Sequence, residues 1–332
     1  MHGDVCLGKF KVAITDSDYG DHSVEEKILS SIGADLTKFQ CRTEDDVIEY
    51  CRDADGLLNQ YAPITRRVIK NLQKVRVIVR YGVGVDNIDI EAATERGILV
   101  ANVIYDITDI ADHTVSLILS LVRKIPWANQ KVKDDIWDWK SMQPISRLKG
   151  KTVGIIGFGR IGRKVAQRLK GFEVRIIAYD PYVPVEIFNK YGVKRVEFNY
   201  LIREADVITI HTPLTEETRH MIGERELKSM KREAILVNTS RGGVINEKAL
   251  YKALKEKWIA SAGLDVMEKE PPEKNNPILK LDNVIVTPHM AWYSRESFNE
   301  IRRIAAEEVA RALTGQIPIN LVNKAVLKKI KF

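Results

Sequence analysis

Val153-Gly154-Ile155-Ile156-Gly157-Phe158-Gly159-Arg160-Ile161-Gly162 lies near the middle of the chain, and Ile176-Ile177-Ala178-Tyr179-Asp180 follows it after a helix-length interval. The apolar run up to Gly157 reads as a buried parallel strand. Residues 160–170 read as a helix with Ile161, Val165, Ala166 and Leu169 on one side. The three glycines therefore fall at a strand-to-helix turn. Gly157 permits the tight turn, Gly159 lets a pyrophosphate reach the backbone, and Gly162 lets helix and strand pack closely. The start of the helix, at Arg160 and Ile161, offers free N–H groups and a partial positive charge to the phosphates. An acid about twenty residues further on, at the end of the next strand, holds the ribose hydroxyls of NAD and repels the extra phosphate of NADP. Asp180 occupies that place with no arginine close behind it. The whole unit predicts a doubly wound dinucleotide-binding domain that takes NAD.

Outward from this unit, strand-like and helix-like segments alternate in both directions. Before it, strands are expected at 11–15, 56–59, 75–80 and 98–101, with helices at 24–32, 45–51 and 65–72, which makes a first α/β series. A connector helix is expected at 108–123, ended by Pro126, and an arm over 127–149 carries Trp127, Trp137 and Trp139, as a subunit contact or a core-covering loop would. The second series predicts a six-stranded sheet from strands at 153–156, 175–179, 207–210, 234–237, 261–265 and 284–287. A last helix at 294–313 has Phe298, Ile301, Ala305, Val309 and Ala312 on one face and no strand of its own to cover, so it is expected to return to the first domain.

With 332 residues, 45% of them hydrophobic, the chain is long enough for two cores. No apolar run approaches the ~20 residues that span a bilayer, and Met1-His2-Gly3-Asp4 lacks the basic and apolar parts of an export signal, so a cytoplasmic protein is expected. Cys6, Cys41 and Cys51 have no metal-ligand spacing and are expected as reduced thiols. The net charge of +7 comes from lysines and arginines interspersed with acids, apart from a locally basic tail at 324–331. That pattern suits anionic small molecules and lacks the basic face with aromatic platforms that nucleic-acid binding needs.

In open α/β sheets ligands collect beyond the carboxyl ends of the strands. Four such places carry chemistry: Asn238-Thr239-Ser240-Arg241-Gly242, Asp265 with Glu270 after it, Pro288-His289, and Tyr81-Gly82-Val83-Gly84 in the first series. Arg241 suits bidentate recognition of a carboxylate. Histidine, with a reference pKa of about 6.5, suits the proton that accompanies hydride transfer at a hydroxyl carbon, and a nearby carboxylate fixes its tautomer. Arg241, Glu270 and His289 thus supply anchor, orienter and acid/base. His211 follows a strand at the cofactor side, and a metal site from His211 and His220 has no third ligand spaced to complete it, so no metal is expected.

The glycine turn, the run His211-Thr212-Pro213-Leu214-Thr215, Asn238 to Gly242, Gly263-Leu264-Asp265-Val266 with Glu270-Pro271, and Pro288-His289 together resemble the D-isomer-specific 2-hydroxyacid dehydrogenases over nearly the full chain. The resemblance implies an α/β protein of two doubly wound domains. A Rossmann NAD-binding domain (106–293) is inserted into a discontinuous flavodoxin-like substrate domain (1–105 plus 294–332). It also implies a homodimer made through the NAD-binding domains. Arg241 then binds the substrate carboxylate and carbonyl oxygen, His289 donates or accepts the proton, and Glu270 pairs with it. Val83 and Gly84 give backbone contacts to the carboxylate, Asp265 holds the nicotinamide amide, and His211, Thr212, Pro213, Thr218, Thr239, Ser240 and His289 line the cofactor.

Within the family, His289-Met290-Ala291-Trp292-Tyr293-Ser294, with Arg80 before the glycine loop and Asp86-Asn87-Ile88-Asp89 after it, is similar to the C-terminal-binding-protein branch. Trp292 and Tyr81 are expected to shape the substrate pocket together with Asn59, Gln60 and Tyr61. The last three replace the Arg-Ser usual in phosphoglycerate dehydrogenases, which weighs against 3-phosphoglycerate. The expected activity is NAD-dependent reduction of a small 2-oxo acid to the D-2-hydroxy acid. The alternative is an NAD(H)-sensing, corepressor-type peptide binder with little turnover.

Overall fold

The computed structural model describes residues 10–330; Cys6, the first four residues and Lys331 at the end of the basic tail lie outside them. The chain divides into two compact units, residues 1–106 with 294–332, and residues 107–293.

In unit 1 the chain runs β1 (Phe10–Ile14), α1 (Ser23–Ser30), β2 (Ala34–Lys38), α2 (Glu44–Cys51), β3 (Gly56–Asn59), α3 (Arg66–Asn71), β4 (Val77–Arg80), α4 (Ile90–Glu95) and β5 (Leu99–Ala101). The sheet is parallel in the order β2-β1-β3-β4-β5, the flavodoxin-like winding. Strand β2 was not expected: Ala34-Asp35-Leu36-Thr37-Lys38 is an edge strand buried only at Ala34, so it shows no apolar run. Cys41 and Cys51 are free, buried thiols in the core of this unit.

Unit 2 opens with α5 (Thr108–Arg123) and α6 (Ile125–Lys133). Pro126 does not end the connector helix. Lys124 does, in the left-handed region at φ 54°, and Pro126 sits in the first turn of α6, where its missing N–H goes unneeded. The sheet then follows: β6 (Thr152–Ile156), α7 (Arg160–Leu169), β7 (Arg175–Tyr179), α8 (Val185–Lys190), β8 (Lys194–Arg195), α9 (Phe198–Glu204), β9 (Val207–Ile210), α10 (Glu224–Ser229), β10 (Ile235–Asn238), α11 (Glu247–Lys255), β11 (Ser261–Leu264) and β12 (Val284–Val286). All neighbours are parallel in the order β12-β11-β10-β9-β6-β7-β8, a Rossmann winding with a seventh strand. The expected six strands become seven because β8 is two exposed basic residues on the edge, with nothing apolar to mark it. The winding reverses between β6 and β9, which is where the glycine turn lies.

The final helix α12 (Arg295–Leu313), capped by the Ser294 hydroxyl on the N–H of Ser297, returns to unit 1 and packs on α1, β3 and β4. Its buried face holds Ile301, Ala305, Val309 and Ala312 as expected, and also Arg302 and Glu308. Arg302 is 2% exposed and lies on Glu25 of α1, which is fully buried: its Nη2 and Nε donate to Oε2 at 2.8 and 3.0 Å, and Nε to Oε1 at 3.1 Å.

Candidate active site

The turn after β6 is shaped by close backbone approach. Gly157 has φ +88°, and a Cβ there would stand 2.6 Å from the His211 carbonyl oxygen; a Cβ on Gly162 would stand 2.2 Å from the Gly157 carbonyl oxygen. At Gly159 nothing lies within 4 Å of the same position, so the side left open is the one a pyrophosphate needs. Gly159 caps α7 without a side-chain bond to its N–H groups, which keeps them available; Arg160 is exposed and Ile161 half-buried beside them. The observed cradle fits NAD.

Asp180 is placed at the end of β7 as expected, but its carboxylate also builds the turn. Oδ2 accepts the Phe158 N–H at 2.8 Å, and Oδ1 accepts those of Tyr182 at 2.9 Å and Val183 at 3.2 Å. Asp180→Ser is therefore expected to weaken NADH binding about tenfold or more, since bonds to a charged acceptor contribute ~1.5–3 kcal/mol, and to narrow the preference over NADPH. Fluorescence titration with both cofactors measures this; an unchanged NADH-to-NADPH affinity ratio counts against the role given to Asp180.

At the end of β9, His211 donates to or accepts from Thr209 Oγ1 through Nε2 at 3.0 Å, while Nδ1 is shut off from solvent with no partner. The Thr212 hydroxyl is likewise buried without a partner. Pro213 is exposed, and its carbonyl accepts the Thr218 hydroxyl at 2.7 Å, which ties the loop that carries both. Burial pushes the His211 pKa down to about 3. Between the ordinary 6.5 and about 3 the unfolded chain takes up a proton that the folded chain refuses, so stability falls with falling pH across that window. The slope is at most ~1.4 kcal/mol per pH unit for one proton. Urea unfolding between pH 7 and 4 is expected to show His211→Gln with a flatter acid limb; an identical limb in both proteins refutes it.

After β10, the Asn238 side chain pins the Arg241 loop: Nδ2 donates to the Arg241 carbonyl at 2.9 Å, and Oδ1 accepts the Ser240 N–H at 3.0 Å and its hydroxyl at 2.8 Å. The half-buried Arg241 donates from Nη1 to the Ser240 carbonyl at 2.8 Å. Thr239 is buried, its hydroxyl 2.9 Å from that of Thr114 on α5.

The loop after β12 wraps a buried carboxylate. Asp265, 1% exposed, accepts the Thr287 hydroxyl at 2.6 Å and the Met290 N–H at 2.9 Å on Oδ1, and the Ala291 N–H at 2.9 Å on Oδ2. The His289 N–H donates to the Asp265 carbonyl at 2.8 Å, and His289 itself stands at φ 50°. Its Nδ1 is 2.6 Å from Glu270 Oε2, and Glu270 Oε1 accepts the Met267 N–H at 2.9 Å. Burial pushes the Glu270 carboxyl up, but the hydrogen bond and charge of His289, the Met267 N–H and the nearby Arg241 outweigh it and hold the group below its ordinary value. Glu270 is thus the ionised acceptor, and His289 Nδ1 carries the shared proton. Trp292 is half-buried with its ring edge-on to Tyr293, centroids 5.6 Å apart. His220 pairs instead with Glu268, at 2.8 Å. Among the described residues no cluster of three or more His, Cys, Asp or Glu side chains is arranged to hold a metal ion.

In unit 1 the side chains differ from expectation. Tyr81 is 2% exposed and donates its hydroxyl to Glu25 Oε1 at 3.0 Å, so its phenol lies in the core of unit 1. Burial first, and then the Glu25 carboxylate, raises its phenol well above the ordinary 10.0. Asn59 and Gln60 are likewise internal: Asn59 bonds Thr15, the Ala62 carbonyl and Asn87, and Gln60 accepts the Asp18 N–H. Tyr61 and Val83 are exposed and Gly84 half-buried. Residue type alone does not show which way a side chain at a strand end turns.

A glycine turn at the winding reversal, with an ionised glutamate on an imidazole after another strand of the same sheet, is the arrangement of a nicotinamide-dinucleotide oxidoreductase. Residues 115–291 match the model described as "D-isomer specific 2-hydroxyacid dehydrogenase, NAD binding domain". The chain belongs to the D-isomer specific 2-hydroxyacid dehydrogenase family, NAD-dependent oxidoreductases of 2-hydroxy acids. It is 45% identical to a D-3-phosphoglycerate dehydrogenase of Methanocaldococcus jannaschii, over 94% of this chain and 59% of that one, so it spans little more than half of that relative. It is 44% identical to a glyoxylate reductase of Korarchaeum cryptofilum, over 85% of this chain and 86% of the relative. The D-lactate dehydrogenase of Aquifex aeolicus, solved with NAD and lactic acid, superposes with a TM-score of 0.87 at 29% identity, covering 94% of this chain and 99% of that one.

Proposed function

We propose that the protein uses NADH to reduce a small 2-oxo acid to the D-2-hydroxy acid. The 2.6 Å contact of His289 Nδ1 with Glu270 carries this reading, because it leaves Nε2 as the nitrogen that exchanges a proton with substrate. Bound NAD supplies the hydride donor or acceptor. His289 gives the proton to the carbonyl oxygen in reduction and takes it back in oxidation, while Glu270 holds the ring and balances its charge. Arg241 anchors the carboxylate, Ser240 and Thr239 border the cofactor, and Trp292 forms an apolar wall for the substrate's side chain. Val83 and Gly84, in unit 1, are assigned as backbone donors to a carboxylate. Residues 1–105 with 294–332 act as the substrate domain, and 106–293 as the cofactor domain.

A cytoplasmic homodimer is part of the proposal. Trp137 at 90% and Trp139 at 71% exposure on the arm of unit 2 support the dimer, since aromatic surface of that kind is ordinarily covered. Among the described residues no helix is long and apolar enough to cross a membrane.

NADH oxidation with glyoxylate, hydroxypyruvate, pyruvate and longer 2-oxo acids, and NAD reduction with 3-phosphoglycerate, tests the reading. A preferred 2-oxo acid with kcat/KM at least tenfold above the others is expected. No turnover on any of them, together with NADH-dependent capture of a peptide, would establish the corepressor-type alternative instead.

A further inference from the structure

We infer that His113 of α5 is a positioning residue for His289, acting through Thr287 and Asp265; the inference rests on the role proposed for His289. His289 stands at φ 50°, in the left-handed region that residues bearing a Cβ avoid, so something outside the residue must hold it there. What holds it is Asp265. Its carbonyl takes the His289 N–H, and its carboxylate takes the N–H groups of the next two residues, Met290 and Ala291. The orientation of that carboxylate therefore decides where the imidazole points.

The carboxylate is itself held from behind by a directed chain of hydrogen bonds. Thr287 Oγ1 lies 2.6 Å from Asp265 Oδ1 and 3.0 Å from His113 Nε2. A hydroxyl has one proton, and that of Thr287 is donated to Asp265 Oδ1, so Thr287 Oγ1 can only accept from the imidazole. His113 Nε2 must then be the donor to Thr287, which places a proton on Nε2. The same Nε2 is 3.5 Å from Asp265 Oδ1. His113 is 20% exposed and projects from α5, which packs on α7, β10 and β11, so the chain starts on a rigid element. The next residue along α5, Thr114, reaches Thr239 in the loop after β10. One turn of α5 thus references two of the loops that carry the site.

With the His113 N–H removed, the Thr287 hydroxyl loses its donor from α5, and the Asp265 carboxylate loses a fixed partner on the side away from His289. The expected result is a reacting nitrogen off its line by a fraction of an ångström, which lowers turnover without removing a contact to cofactor or substrate.

The test uses the full chain and the best 2-oxo acid of the panel. His113→Phe keeps the ring and is expected to lower kcat about 10- to 100-fold, with NADH affinity and the KM of the acid within about threefold of wild type and the thermal midpoint little changed. Thr287→Val is expected to behave alike. The double variant is expected to be no worse than the poorer single variant, because both break one chain. His113→Gln, whose amide offers an N–H in the same direction, is expected to recover most of the activity. A kcat within twofold of wild type in His113→Phe, or losses that multiply in the double variant, overturns the assignment while leaving the role of His289 standing. Absence of turnover in the wild type removes the role of His289, and this assignment goes with it.

Discussion

Replacing His289 with alanine is expected to lower kcat by about 10²–10⁴-fold while NADH still binds with near wild-type affinity. The side chain is held by a 2.6 Å contact to Glu270, and the loop around it is held separately by Asp265, so truncation removes the imidazole without dismantling its support. Glu270→Gln is expected to do less, since the amide oxygen still accepts from Nδ1 but no longer balances an imidazolium. The pH dependence follows from the same pair. The Glu270 carboxyl is held below its ordinary value, so the pairing is intact above the ordinary carboxylate range and is lost only as pH falls through that lowered value. The acid limb that Glu270 protonation sets in wild type is therefore expected to be missing from the kcat/KM profile of Glu270→Gln, where no carboxyl titrates. Stopped-flow and steady-state measurement of NADH oxidation decides the matter; kcat of the alanine variant within tenfold of wild type would remove His289 from the chemistry.

The second large effect concerns stability. Arg302→Leu is expected to destabilise the protein by about 3–5 kcal/mol, the range found when one partner of a buried ion pair is removed. Glu25 has no exposed surface, and with the arginine gone the Tyr81 hydroxyl and the more distant His22, 3.6 Å away, are what still face its carboxylate among the described residues. Glu25→Met combined with Arg302→Leu fills the space without leaving a charge behind, and is expected to recover most of the loss. Guanidinium unfolding of wild type and the two variants separates these terms. A single-variant loss under about 1 kcal/mol would mean that water reaches Glu25 once the arginine is gone.

Legibility in the sequence followed burial. Strands β6, β7, β9 and β10 are runs of Val and Ile buried on both faces, and they are plain in the text because a central parallel strand has no solvent side to interrupt it. Edge strands β2 and β8 escape for the opposite reason. The glycine turn was legible because each glycine answers a local steric demand, and His289 and Glu270 because they stand just beyond strand ends. Which side chains turn inward was not legible. Tyr81, Asn59 and Gln60 carry the polar tips of ligand-binding residues, yet they spend them on Glu25, Thr15 and Asp18. The partners that decide this are remote: His113 and Thr287 are 174 positions apart, and Glu25 and Arg302 are 277. No periodicity or spacing rule reaches across such intervals.

The return of α12 to unit 1 imposes an order of events on synthesis. A ribosome making 5–20 residues per second needs roughly 10–40 s to pass from residue 107 to 293. Throughout that interval β1 to β5 are already out, but the helix that covers β3 and β4 is not. Glu25 waits without its arginine, and the sheet waits with a bare apolar face. The inserted unit, by contrast, is complete once residue 293 has emerged. The segment made before the inserted unit thus belongs to the unit that finishes after it, and the face of β3 and β4 is open to chaperone capture and aggregation until Arg302 and the rest of α12 arrive.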